Sequence, residues 1–169
     1  SGDSACSIPQ YNISNEALEN IKKEVTKVIE NMEIIGLVNV QLAYVNEKIY
    51  LLEVNPRASR TIPFVSKALG MPLAAIAARV MAGISLKDQG IDSVPELDFF
   101  SVKEAVMPFD RFQNVDPILG PEMRSTGEVM GIGKTFIEAF EKAEIAAGVQ
   151  IPKSGAAFIS VRDTDKQFL

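Results

Sequence analysis

Glu53, Asn55, Arg57 and Arg60 stand together in Glu53-Val54-Asn55-Pro56-Arg57-Ala58-Ser59-Arg60 and are the strongest candidates for chemistry in the chain. Alternate residues of a strand point to one face, so Glu53 and Asn55 would present an acid and an amide side by side. These groups offer oxygen ligands to a hard cation. Magnesium takes one or two carboxylates and fills its octahedron with water and phosphate oxygens. Arg57 and Arg60 follow at once, where guanidinium groups could neutralise or orient phosphates. Gln41 adds a second amide from the preceding strand. Metal, phosphate and arginine together suit phosphoryl transfer. Composition alone favours a plainer picture, a hairpin end with a solvated polar face.

Composition narrows the chemistry. The chain has 169 residues and no histidine, so imidazole bases, histidine metal sites and a Ser-His-Asp triad within it are excluded. Any metal would have oxygen ligands, favouring magnesium, calcium or manganese. Cys6 is the one cysteine, so no intrachain disulfide can form, which fits a reducing cytosol. Net charge is -5 with no basic run, giving nucleic-acid binding no electrostatic support. No apolar run approaches the ~18 residues of a membrane span. The polar start is not a signal peptide, and without an initiator methionine it reads as cut from a longer chain.

The elements that must position these residues follow from periodicity. Ser14 suits an N-cap, and Leu18, Ile21, Val25, Val28 and Ile29 share a helical face running to about Met32, expected to lie on a sheet. Leu37 to Val45 and Ile49 to Val54 read as a β-hairpin around Asn46, Glu47 and Lys48. Thr61 to Leu69 and Leu73 to Ala82 read as helices, the second apolar nearly all round and so expected to be buried. Residues 84–98 read as a surface connection and Phe99 to Met107 as a strand. Asp110 to Thr126 reads as a loop, and Thr135 to Gly148 as a helix. Phe158 to Val161 reads as a lone final strand. Gly133-Lys134-Thr135 imitates a P-loop end, but Glu128 stands where a P-loop needs glycine, so that motif is rejected. Gly131 and Gly133 are expected to shape a turn. Cys6 is read as an inert thiol, Asp3 as a turn or capping residue, and Lys166 as solvated.

Tyr50-Leu51-Leu52-Glu53-Val54-Asn55-Pro56-Arg57-Ala58-Ser59-Arg60-Thr61 resembles the metal-binding strand of the carbamoyl phosphate synthase large-subunit family. Ser1-Gly2-Asp3-Ser4-Ala5, Asn39-Val40-Gln41, Val65-Ser66-Lys67-Ala68, the run from Gly120 to Gly131, and Phe158-Ile159-Ser160-Val161-Arg162-Asp163 also match, in the family's order. The resemblance implies an α+β fold: residues 1–148 as the later portion of an ATP-grasp domain, a mostly antiparallel sheet with packed helices. Residues 149–169 would be a linker and the first strand of a methylglyoxal-synthase-like α/β regulatory domain. It implies a cytoplasmic ligase of pyrimidine and arginine biosynthesis, making carbamoyl phosphate from bicarbonate, glutamine-derived ammonia and two ATP with a glutamine amidotransferase small subunit. This half would phosphorylate carbamate.

By that resemblance Gln41 and Glu53 bind one magnesium (or manganese) and contact ATP, and Glu53 and Asn55 bind a second metal. Ser1 ends a nucleotide-contacting stretch, and Arg57 and Arg60 lie near the transferring phosphate. A fragment of this kind would be inactive alone, bind ATP weakly and tend to self-associate. The alternatives are another ATP-grasp carboxylate ligase and a non-catalytic nucleotide-binding or assembly module. The shared metal sets a geometric condition. Gln41 must oppose Glu53 across the hairpin, which a three-residue loop provides. A two-residue loop puts them on opposite faces unless a bulge intervenes.

Overall fold

The computed structural model describes residues 3–109, 116, 118, 120 and 122–168. Helix α1 (Asn15–Glu30) opens where Ser14 Oγ accepts the Ala17 N–H at 3.2 Å, satisfying one of the donors that a helix start leaves unpaired. Glu16 in its first turn and Lys27 in its last complement the helix dipole. The stripe Leu18, Ile21, Val25, Val28 and Ile29 is half-buried. Its Val25 and Val28 face Val40, Leu42, Ile49 and Leu51 of the hairpin across a cavity of about 120 Å³, so the helix covers the hairpin loosely.

That hairpin pairs β2 (Asn39–Val45) with β3 (Lys48–Asn55) as a separate two-stranded sheet. The expected three-residue loop is not formed. Val45 pairs with Lys48, leaving Asn46 and Glu47 as a two-residue turn with φ of 49° and 62°. Both values are left-handed, the geometry whose twist matches the flanking strands and which asparagine tolerates.

The second sheet has the order β1-β4-β5, all antiparallel, with β1 (Cys6–Ile8), β4 (Phe100–Val106) and β5 (Gly127–Gly133). Helix α4 (Phe136–Ala147) packs on it. Val102, Ala139 and Ala143 form the buried core, flanked by Phe100 and Phe136. Tyr11 stacks on Phe136 with ring centroids 4.1 Å apart. Gly131 and Gly133 lie within β5, which corrects their reading as turn residues. A Cβ on Gly133 would stand 2.6 Å from Ala139 N, so the glycines let α4 approach the strand. Gly133-Lys134-Thr135 starts the helix: Thr135 Oγ accepts the Glu138 N–H at 3.2 Å, and Glu138 Oε2 accepts the Lys134 N–H at 2.8 Å.

Helices α2 (Thr61–Leu69) and α3 (Leu73–Met81) meet at a 108° bend after Gly70, whose φ is 66°. The expected burial of α3 is not observed: Ile76 and Ala77 are its buried residues and Met81 is 69% exposed. An apolar sequence marks what a helix can bury, and here only one edge meets α2. Among the described residues, no single helix is long and apolar enough to cross a membrane. The strand expected over Phe158–Val161 is also absent. Those residues have no regular structure, and Phe158 is 95% exposed. The chain closes with a 3-10 turn, Asp163–Phe168, in which Lys166 pairs with Asp163 at the surface. The α+β reading holds, as two antiparallel sheets with helices against them.

Candidate functional site

The hairpin satisfies the geometric condition through a bulge. Near the turn the register runs Val45↔Lys48, Tyr44↔Ile49, Ala43↔Tyr50 and Leu42↔Leu51. It then shifts, and Gln41 pairs with Glu53, Val40 with Val54 and Asn39 with Asn55. Leu52 is the extra residue. Without it the two-residue turn would set Gln41 opposite Leu52 and send Glu53 to the other face. Directly opposed residues of an antiparallel pair share a face, and alternate residues repeat it. Gln41, Glu53, Asn55 and Asn39 therefore form one polar face, while Val40 and Val54 point with Leu42 and Leu51 toward α1.

The residues after Asn55 leave the strand in a turn. The Arg57 N–H donates to the Asn55 carbonyl at 2.8 Å, and the Arg57 guanidinium to the Ala58 carbonyl at 3.0 Å. Arg60 precedes α2 and lines a cleft with Ser125, Thr126 and Glu128. Gln41 and Asn39 line a cleft of about 340 Å³ with Ser4, Cys6, Thr61 and Lys103. The structure thus brings Gln41, Glu53 and Asn55 together and sets Arg60 on an adjoining opening. Arg57 is exposed, with its guanidinium turned onto its own loop. Ser1 lies outside the described residues.

Sequence reasoning did not single out Lys103. It is buried at the centre of β4, with Nζ 3.2 Å from Glu128 Oε1. In β4 it stands between Val102 and Glu104, with Ser101 two places before it, a mixed pattern that gave little signal. Beside it, burial pushes the Cys6 thiol upward, against the opposing pull of Lys103, so the thiol stays protonated as its inert reading requires. Asp3 anchors a distant loop: its carboxylate accepts the N–H groups of Arg124 at 2.7 Å and Ser125 at 2.8 Å. These bonds hold its carboxyl below the usual carboxylate value. Asp3, Glu104 and Glu144 line another cavity, where burial, together with the Glu104 carboxylate, raises Glu144.

Among the described residues, no three His, Cys, Asp or Glu side chains converge as a metal site. The hairpin face offers one carboxylate and amide oxygens. Such a donor set fits magnesium or manganese completed by water and phosphate oxygens, and it would not suit a soft metal.

Residues 1–89 match the family model described as "Carbamoyl-phosphate synthase L chain, ATP binding domain". The chain belongs to that family. It is 59% identical to the carbamoyl phosphate synthase large chain of Pasteurella multocida (strain Pm70), with 98% of this chain aligned to 16% of that protein. It is 56% identical to the large chain of Xanthomonas axonopodis pv. citri (strain 306), with 99% of this chain aligned to 16% of that one. The chain therefore spans about one sixth of the length of these relatives. Among solved structures, N5-carboxyaminoimidazole ribonucleotide synthetase from Thermotoga maritima matches with a TM-score of 0.62 at 14% identity. That likeness covers 85% of this chain and 44% of that one, and it concerns the fold. The family match spans α1, the hairpin, α2 and α3, and so contains every residue of the polar face.

Proposed function

We propose that the chain is part of a carbamoyl phosphate synthase large chain and carries the metal-binding side of the ATP site that phosphorylates carbamate. The observation that carries this reading is the bulge at Leu52, which places Gln41 opposite Glu53 with Asn55 on the same face. Magnesium or manganese, when bound, screens the phosphate charges of ATP and of the group in transfer. Gln41 and Glu53 would hold one cation and the nucleotide phosphates, and Glu53 with Asn55 a second. Arg60 faces the adjoining opening and would steady the transferring group, while Arg57 must swing from its own loop to join it. Ser1 would contact the nucleotide. No side chain acts as a covalent nucleophile. The names of the relatives support the substrate, and the oxygen-only donor set supports the metal.

The same reading makes residues 1–148 the later portion of an ATP-grasp domain and 149–169 the start of a regulatory domain. It makes a glutamine amidotransferase small subunit the partner in a cytoplasmic enzyme. The chain corresponds to 44% of the solved neighbour, so the isolated polypeptide is expected to bind ATP weakly and to lack turnover. The experiment transplants this segment into the full-length P. multocida relative and follows ATP formation from carbamoyl phosphate and magnesium-ADP. Activity lost on Glu53→Gln supports the reading. Full activity in that variant contradicts it.

A further inference from the structure

Lys103 is a buried cation that the proposed metal face does not use. The residue is 2% exposed at the middle of β4. An ammonium carries three donors, and Glu128 Oε1 at 3.2 Å is its one hydrogen-bond acceptor among the described residues. That distance exceeds the ~2.7–2.9 Å of a tight charge-assisted bond. A buried charge with open donors is unfavourable unless a further partner joins it.

Its surroundings indicate what kind of partner. On one side Lys103 lines the cleft of Asn39 and Gln41. On the other it lines a cavity of about 420 Å³ with Phe64, Lys67 and Glu128. Arg60 lines the next opening, which shares Glu128. Lys103, Lys67 and Arg60 thus face a single carboxylate, Glu128, across these linings. Cys6 adds no negative charge, because burial keeps its thiol protonated. Three cations and one carboxylate thus line these neighbouring openings, with Glu53 on the polar face next to them.

We infer that Lys103, which lines both of these openings, anchors a small oxyanion, a carboxylate or a phosphate group, beside Gln41. Its two open donors meet the anion while the third donates to Glu128. Lys103 is then a positioning residue for a participant in the reaction. That last step rests on the proposed phosphoryl transfer, whereas the anion site itself does not.

The test titrates the whole 169-residue chain with sodium bicarbonate, and separately with inorganic phosphate, at fixed pH and ionic strength, without nucleotide or metal. NMR follows the Val102, Lys103 and Glu104 amides and the Lys103 Cε signal. Saturable shifts are expected, weakened roughly tenfold or more by Lys103→Met and kept by Lys103→Arg and Glu128→Gln. Saturation by bicarbonate alone identifies a carboxylate acceptor, and by phosphate alone a nucleotide phosphate. Absence of saturable shifts in the unsubstituted chain overturns the inference. So does Lys103→Met binding as tightly as the parent, or Glu128→Gln losing as much, since the ion pair alone would then matter. Should Lys103→Met not fold, the Lys103 Cε response of the parent chain decides. Failure of the ligase reading would appear elsewhere, in the turnover of Glu53→Gln, so the two can be told apart.

Discussion

The two sheets are built for different ends. In β1-β4-β5, the central strand is nearly sealed, and Ala139 and Ala143 of α4 are fully buried against it. In β2–β3, Tyr50, Leu51 and Leu52 are about half exposed, and α1 leaves a cavity above the apolar face. The first region holds the chain together. The second presents the oxygen ligands and is itself thinly supported. A site that must admit a cation, phosphates and water gains from an open, bulged edge strand. A core sheet gains from glycines that let a helix close down on it.

Substitutions should separate the two roles. Gly131→Val should have the largest effect. Even a Cβ there would fall against the Ala139 carbonyl and 2.5 Å from Ala143 N, both of them backbone. Overpacking against atoms that cannot yield costs about 3 kcal/mol or more, to be read as an early midpoint in urea unfolding. Glu53→Gln should do the reverse. An exposed side chain contributes little to folding, so stability should stay within about 0.5 kcal/mol of the parent. Manganese-ADP binding should weaken roughly tenfold or more, as measured by water-proton relaxation.

Smaller effects lie at the edges of each region. Glu47 is an L-residue at φ 62° in the hairpin turn, where Asn-Gly is the preferred pair. Glu47→Gly should stabilise the hairpin by roughly 0.5–1 kcal/mol, seen as slower amide exchange in β2 and β3 with the core sheet unchanged. The smallest effect is the tether at Asp3. Its folded pKa is depressed by the Arg124 and Ser125 N–H groups. The tether therefore stabilises above the unfolded value of about 3.9 and is lost as pH falls through the folded one. Protection of the Arg124 and Ser125 amides, taken relative to their intrinsic exchange rates, should fall in acid, and Asp3→Ala should remove that pH dependence.

Much of this was legible in the sequence because it is local. Ser14 and Thr135 cap the helices their positions suggested, Gly70 and Gly148 end them, and β4 lies within the strand expected over Phe99 to Met107. What was missed depends on distant partners. The short β1 exists because Cys6, Ser7 and Ile8 pair with β4 residues far along the chain. β5 carries three glycines, which weaken any strand signal and make sense only once α4 lies upon them. The polar face was half legible. Alternation put Glu53 with Asn55, and the resemblance added Gln41. The turn length was misjudged, and nothing in Leu51-Leu52 announces a bulge. Lys103 stood in plain view inside β4, but its importance comes from cavities that the sequence does not display.

The most direct test of the site uses manganese as a paramagnetic probe with ADP on this chain, since broadening reports even weak binding. The account predicts that signals of Gln41, Glu53 and Asn55 broaden first and that Glu53→Gln weakens the effect roughly tenfold or more. Broadening centred instead on the cavity of Asp3, Glu104 and Glu144, or unchanged in Glu53→Gln, would contradict it.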